Sequence, residues 1–104
     1  MRLKDKTAVI IGGAAGIGLA IVKLFVKHGA NVIIADINPD TAQKNTAEIE
    51  GTIDIQKADV SVRSELEDVL DTAATKYGSL DILVNNAGIL DRMHPVYLAL
   101  SFEG

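Results

Sequence analysis

Residues 12–18 read Gly-Gly-Ala-Ala-Gly-Ile-Gly and follow directly on the apolar run Thr7 to Ile11. Glycine is needed where a backbone turns sharply, approaches a ligand closely, or lets a helix and a strand pack together. A helix opening just beyond such a turn offers unpaired N–H groups to a phosphate. Gly12, Gly16 and Gly18 are therefore candidates for cradling a diphosphate. No lysine follows the glycines, which disfavours a nucleoside-triphosphate loop. A second apolar run, Asn31 to Ala35, ends at Asp36, at the distance the dinucleotide fingerprint requires of its acid. A carboxylate there accepts both hydroxyls of an adenosine ribose and repels a 2′-phosphate. The next residue is Ile37 rather than Arg or Lys, so the expected ligand is NAD in preference to NADP. The plainer alternative is that Asp36 only turns the chain before Asn38-Pro39.

Two further groups follow apolar runs. In Asp59-Val60 the acid can accept from an adenine amino group. In Asn85-Asn86-Ala87-Gly88 the small residues leave room for a sugar. By residue type alone, each is equally an ordinary strand-end turn.

Other chemistries find little support. There is no cysteine, hence no disulfide frame, thiolate nucleophile or sulfur-ligated metal. His28 falls at a helix end, His94 beside Pro95, and no His-Glu-x-x-His occurs, so no metal site is expected. Met93 and Phe102 read as hydrophobic contacts. Ten basic residues against fourteen acidic ones give a formal charge of −4, unlike the basic stripe of a nucleic-acid surface. Apolar segments are interrupted well short of the ~20 residues that span a bilayer. The charged stretch Met1 to Lys6 leads straight into a strand, and the expected address is the cytoplasm.

The elements that must hold these residues follow from periodicity. Thr7 to Ile11, Asn31 to Ala35, Thr52 to Gln56 and Leu80 to Val84 read as strands, the third more polar than the others and expected to be more exposed. From Ile17 to His28 the apolar step changes to three and four, giving a helix whose stripe is Ile17, Ala20, Ile21, Leu24 and Phe25. Asn38-Pro39-Asp40 opens a second helix running to about Glu50. Ser61 is the expected cap of a third, with Val62, Leu66, Val69, Leu70, Ala73, Ala74 and Tyr77 as its stripe. The β-α-β-α-β-α-β order predicts an α/β fold, a parallel sheet with helices on both faces, in strand order 3-2-1-4. Residues 1–90 form this unit; residues 91–104 carry a short apolar run, Val96 to Leu100, with no evident partner.

Together these residues resemble the short-chain dehydrogenase/reductase family. Its Thr-Gly-x-x-x-Gly-x-Gly is represented by Ile11 to Gly18, its adenine-contacting pair by Asp59-Val60, and its Asn-Asn-Ala-Gly by residues 85–88. The resemblance implies a truncated three-layer Rossmann-like unit binding NAD. Gly12, Gly16, Ile17 and Gly18 would lie by the pyrophosphate, and Asp36 and Ile37 by the adenosine. Asp59 and Val60 would meet the adenine, and Asn86, Ala87 and Gly88 would line the nicotinamide ribose.

Three positions depart from the family pattern. Ile11 replaces the usual Thr, whose hydroxyl ties the first strand to the Asn-Asn-Ala-Gly turn. Ala15 replaces a Ser or basic residue that helps hold the cofactor. The catalytic Tyr-x-x-x-Lys is absent: the tyrosines are Tyr77 and Tyr97, and the last lysine is Lys76. By resemblance the family transfers hydride between a nicotinamide and an alcohol or carbonyl. This chain is expected to supply the cofactor-binding portion of such an oxidoreductase without being catalytically competent alone. The alternatives are half of an enzyme completed by another chain, or a nucleotide-sensing or protein-interaction module. The fourth strand has an expected neighbour on one side only. Its open edge should be covered by residues 96–100 folding back, by a second copy, or by a complementary chain.

Overall fold

The computed structural model describes residues 2–86 and, as backbone, the strand Tyr97–Leu100. Ala87, Gly88, Met93, His94 and Phe102 lie outside the described residues. The elements alternate as β1 (Thr7–Ile11), α1 (Gly16–Lys27), β2 (Asn31–Asp36), α2 (Pro39–Thr46), β3 (Thr52–Lys57), α3 (Arg63–Tyr77), β4 (Ile82–Asn85) and β5 (Tyr97–Leu100). The sheet order is β3-β2-β1-β4-β5, so the expected 3-2-1-4 arrangement is present with one strand added.

β1 and β2 are apolar at nearly every position because both of their faces are covered. Val9 pairs with Ile33 on one side and Leu83 on the other, placing β1 centrally. Successive side chains point to opposite faces. Ala8, Ile10, Val32 and Ile34 therefore join Val22 and Val26 of α1 and Ala42 of α2 in one layer of core. Val9, Ile11, Ile33 and Ala35 join Val69 and Ala73 of α3 in the other. β3 lies at the sheet margin: Ile53 and Ile55 pack on the α1–α2 layer, while Asp54 takes the opposite parity.

Three expectations change and one alternative is selected. First, α1 buries Gly18, Val22 and Val26 most deeply; of the stripe read from the sequence, Ile21 and Phe25 pack against the core, while Ile17 and Leu24 are 64% and 52% exposed. A strand surface needs a narrow, small-residue ridge for close approach, and the i, i+4, i+8 row beginning at glycine supplies it. Second, α2 ends at Thr46, four residues early. Third, Val62 rather than Ser61 occupies the N-cap of α3; Ser61 turns back to Asp59. Fourth, the margin of β4 is covered from within the chain. β5 pairs with it antiparallel, Leu83 with Ala99 and Val84 with Leu98, which is the fold-back among the alternatives. An antiparallel strand at the margin of a parallel sheet is a common ending.

Candidate functional site

All four parallel strands deliver their carboxyl ends to one rim of the sheet, where open α/β folds bind ligands. The turn after β1 is shaped by its glycines. Gly12 has φ +81°, and its N–H donates to the Ala35 carbonyl at 2.9 Å, joining the turn to the end of β2. Gly16 has φ +62°, and a Cβ there would have nothing within 4 Å. Gly18 is the opposite case: its Cβ would collide with the Gly12 carbonyl oxygen and lie 2.7 Å from the Asn86 amide nitrogen. Thus Gly12 makes the bend, Gly16 leaves open space, and Gly18 lets α1 sit against the turn.

α1 begins with no side-chain cap at Ala15 and no acid in its first turn. The N–H groups of that turn and the positive end of the helix dipole are left for an anion. Asn86, beyond β4, donates its backbone N–H to the Ile11 carbonyl at 2.8 Å and its Nδ2 to the Gly12 carbonyl at 3.4 Å. β1 and the tip of β4 are therefore clasped through main-chain oxygens, with no hydroxyl at position 11.

These ends enclose a cleft of about 380 Å³. Gly12, Ala14 and Ala15 form one wall, Asp36 and Ile37 the second, and Asp59 and Val60 the third, with Asn86 beside the turn. Ile11, Ala35 and Ala58 complete the lining at the strand ends. Of the candidates, Gly12, Ala15, Asp36, Ile37, Asp59, Val60 and Asn86 are brought together here; Gly16, Ile17 and Gly18 form the first turn of α1 beside the cleft. Ala14, Ala35 and Ala58 were missed, although each flanks a recognised turn or strand end. Asn45 was also missed: from α2 its Nδ2 donates to the Ala14 carbonyl at 2.7 Å, a contact 31 positions apart that no local pattern announces.

The acids are partly committed already. The Asn38 amide donates to Asp36 Oδ1 at 2.9 Å, so Asp36 turns the chain as well as facing the cleft. Ser61 donates both its hydroxyl and its amide to Asp59 Oδ1, and these bonds hold the Asp59 carboxyl below its ordinary value. The Asp59 amide in turn donates to Glu65 Oε1 at 2.9 Å, fixing the loop to α3. Among the described residues, the second oxygen of each carboxylate accepts no hydrogen bond.

Residues 6–100 match the family described as short chain dehydrogenase, and the chain belongs to that family. It is 47% identical over 100 residues to short chain aldehyde dehydrogenase 1 of Euphorbia lathyris, covering 94% of this chain and 35% of that protein. It is 42% identical over 97 residues to 3beta-hydroxysteroid dehydrogenase 2 of Eggerthella lenta, covering 90% and 37%. The crystal structure of a hydroxysteroid dehydrogenase from Escherichia coli superposes with a TM-score of 0.78 at 42% identity, over 84% of this chain and 38% of that one. The chain spans little more than a third of the length of these relatives. Its fold is the dinucleotide-binding fold of the family. No helix among the described residues is long and apolar enough to cross a membrane.

Proposed function

We propose that residues 1–90 form the adenosine-and-diphosphate portion of an NAD site within a short-chain dehydrogenase-type oxidoreductase. The observation that carries this reading is the placement of an uncapped helix N-terminus and the Asp36 carboxylate on one cleft. The first suits a diphosphate, the second a ribose diol. Gly12, Ala15, Gly16, Ile17 and Gly18 attend the diphosphate, and Asp36 and Ile37 the adenosine ribose. Asp59 and Val60 flank the adenine, while the family pattern assigns Asn86, and with it Ala87 and Gly88 beyond the described residues, to the nicotinamide ribose. The open space beyond Gly16 fits a ligand that must touch backbone.

NAD is preferred to NADP because the Asp36 carboxylate repels a 2′-phosphate. The bound cofactor would supply hydride exchange with an alcohol or carbonyl. This chain lacks a Tyr-x-x-x-Lys to move the accompanying proton, so alone it binds without turning over. A substrate half supplied by a complementary chain is a second reading, favoured by the apolar residues Ile17 and Leu24 left exposed along α1.

Calorimetric titration with NAD, NADP and adenosine diphosphate tests the first reading. NAD and adenosine diphosphate should bind and NADP should bind more weakly; no heat with any of the three refutes it. A hydride-transfer assay of the chain alone, then with a candidate second half, tests the other. Turnover only in the mixture supports a divided enzyme.

A further inference from the structure

We propose that Asn45 is a positioning residue for the diphosphate-facing turn, holding the Ala14–Ala15 peptide in its ligand-ready orientation. This rests on the reading that the cleft receives a dinucleotide. Asn45 does not line the cleft, whereas Ala14 and Ala15 do. Its Nδ2 reaches from α2 to the Ala14 carbonyl oxygen at 2.7 Å, at the short end of the range for an N–H···O bond. α2 can bear this load because Ala42 and Thr46, on either side of Asn45, are buried.

In a trans peptide the carbonyl and the following N–H point to opposite sides, and the described backbone contains no cis bond. Drawing the Ala14 oxygen toward α2 therefore directs the Ala15 N–H away from α2. That residue is the N-cap of α1, with extended backbone at φ −156° and ψ 172°.

The Gly12 N–H bond to the Ala35 carbonyl and the buried Ala14 side chain fix where the turn sits, but neither is a bond to the Ala14–Ala15 peptide itself. Ala14 and Ala15 carry no polar side-chain atom, no side chain caps the helix, and Gly16 is unhindered. One amide tether comes from each flank: Asn86 to the Gly12 carbonyl, and Asn45 to the Ala14 carbonyl. Without the second, the plane of the Ala14–Ala15 peptide is less restrained, and the remaining ordering must be met when the diphosphate binds. Helix formation does not explain Asn45, because asparagine is a weaker helix former than alanine or leucine.

The test uses the full chain, Asn45→Ala, and Asn45→Leu, which keeps the bulk and removes the donor. Ligand-observed NMR titrations compare adenosine diphosphate with adenosine, which shares the base and ribose but lacks the diphosphate. In both variants the Kd for adenosine diphosphate should rise about three- to tenfold, the worth of one net hydrogen bond. The Kd for adenosine should stay unchanged, and the urea midpoint should fall by no more than the loss of one hydrogen bond, offset in part by the better helix propensity of alanine and leucine. Amide exchange at Ala15 and Gly16 in the free protein should accelerate.

Equal adenosine diphosphate affinity in parent and variants overturns the proposal. So does weakening of both ligands alike, which marks a general loosening of α2, or unaltered exchange at Ala15 and Gly16. A parent chain that binds neither adenosine diphosphate nor NAD defeats the dinucleotide reading itself. Parent binding with indifferent variants defeats the role of Asn45 alone.

Discussion

Asp36 and Lys57 are register partners across the β2–β3 ladder, yet no ion pair joins them among the described residues. The Asp36 carboxylate instead accepts the Asn38 amide, which holds it at the mouth of the cleft. Lys57 remains a positive charge one strand away. On the proposed reading, cofactor selection on this rim would be set by an anion in the cleft wall with a cation beside it.

Removing that anion should change which cofactor wins. Asp36→Ala should lower NAD affinity about tenfold, the lower range for hydrogen bonds to a charged group. NADP affinity should hold or rise, because the repulsion is gone and Lys57 is left. Adding Lys57→Ala should cancel any gain in NADP binding. Equal binding of NAD and NADP by the parent chain, or NAD binding unaltered by Asp36→Ala, would falsify the proposed preference.

The two glycines beginning α1 should fail in different ways. Gly18→Ala drives a methyl into the Gly12 carbonyl oxygen, and backbone cannot swing aside as a flexible side chain would. Urea denaturation should show a loss of about 1–3 kcal/mol. Gly16→Ala meets open space, so its cost is the left-handed backbone alone, about 1–2 kcal/mol. Gly16→Val should additionally obstruct a ligand: in a folded variant, NAD binding should drop by more than the stability change accounts for. Undiminished binding would restrict Gly16 to turning the chain.

Asp54 of β3 accepts bonds from Tyr77 Oη and, at 2.9 Å, from Lys76 Nζ, so the end of α3 is pinned to the sheet margin. Burial raises the Asp54 carboxyl, but the Tyr77 and Lys76 bonds and the Lys76 charge outweigh it and leave it below its usual value of 3.8. Burial, followed by the Asp54 bond and charge, pushes Tyr77 up to about 12 from 10.0. The lowered acid stabilises the fold above its unfolded value and loses that contribution as pH falls below 3.8 through the folded value. The raised phenol stabilises below pH 10.0 and loses its contribution as pH climbs towards 12. Urea midpoints should therefore decline between pH 10 and 12, and Tyr77→Phe should flatten that portion of the decline. An identical alkaline slope in the variant would remove Tyr77 as its cause.

The pairing of β5 with β4 makes a separate demand. Amides of residues 82–85 should exchange slowly in the full chain, and deletion of residues 97–104 should quicken those that face β5. The shortened chain should also associate with rising concentration in sedimentation, since an uncovered strand margin is a template for pairing. Unchanged exchange in a monomeric shortened chain would show that β5 gives no cover.

The residues themselves explain what could be read in advance. Val9 and Ile10 are buried on opposite faces of β1, and Ile33 and Ile34 on opposite faces of β2; continuous β-branched runs carry that signal locally. The cleft was legible because its residues sit at strand ends, where turn chemistry is written in consecutive positions. α1 was harder: Leu24 and Val22 are equally apolar, and only the need of Gly18 to approach the Gly12 carbonyl sets which row turns inward. The partner of β5 and the reach of Asn45 depend on distant pairing, which no window of neighbouring residues contains.

The clasp between β4 and the glycine turn has a consequence for how this sequence can drift. Asn86 addresses the carbonyls of Ile11 and Gly12, and every residue type carries a carbonyl. Position 11 is thereby released from supplying a hydroxyl, and its side chain answers to the apolar layer beneath α3 and to the floor of the cleft. A substitution that would sever a side-chain tie in a fold built otherwise is tolerated here without unfastening the rim. What remains for side chains is the Asn86 Nδ2 bond to Gly12; the bond to Ile11 comes from the main chain and excludes only proline at position 86.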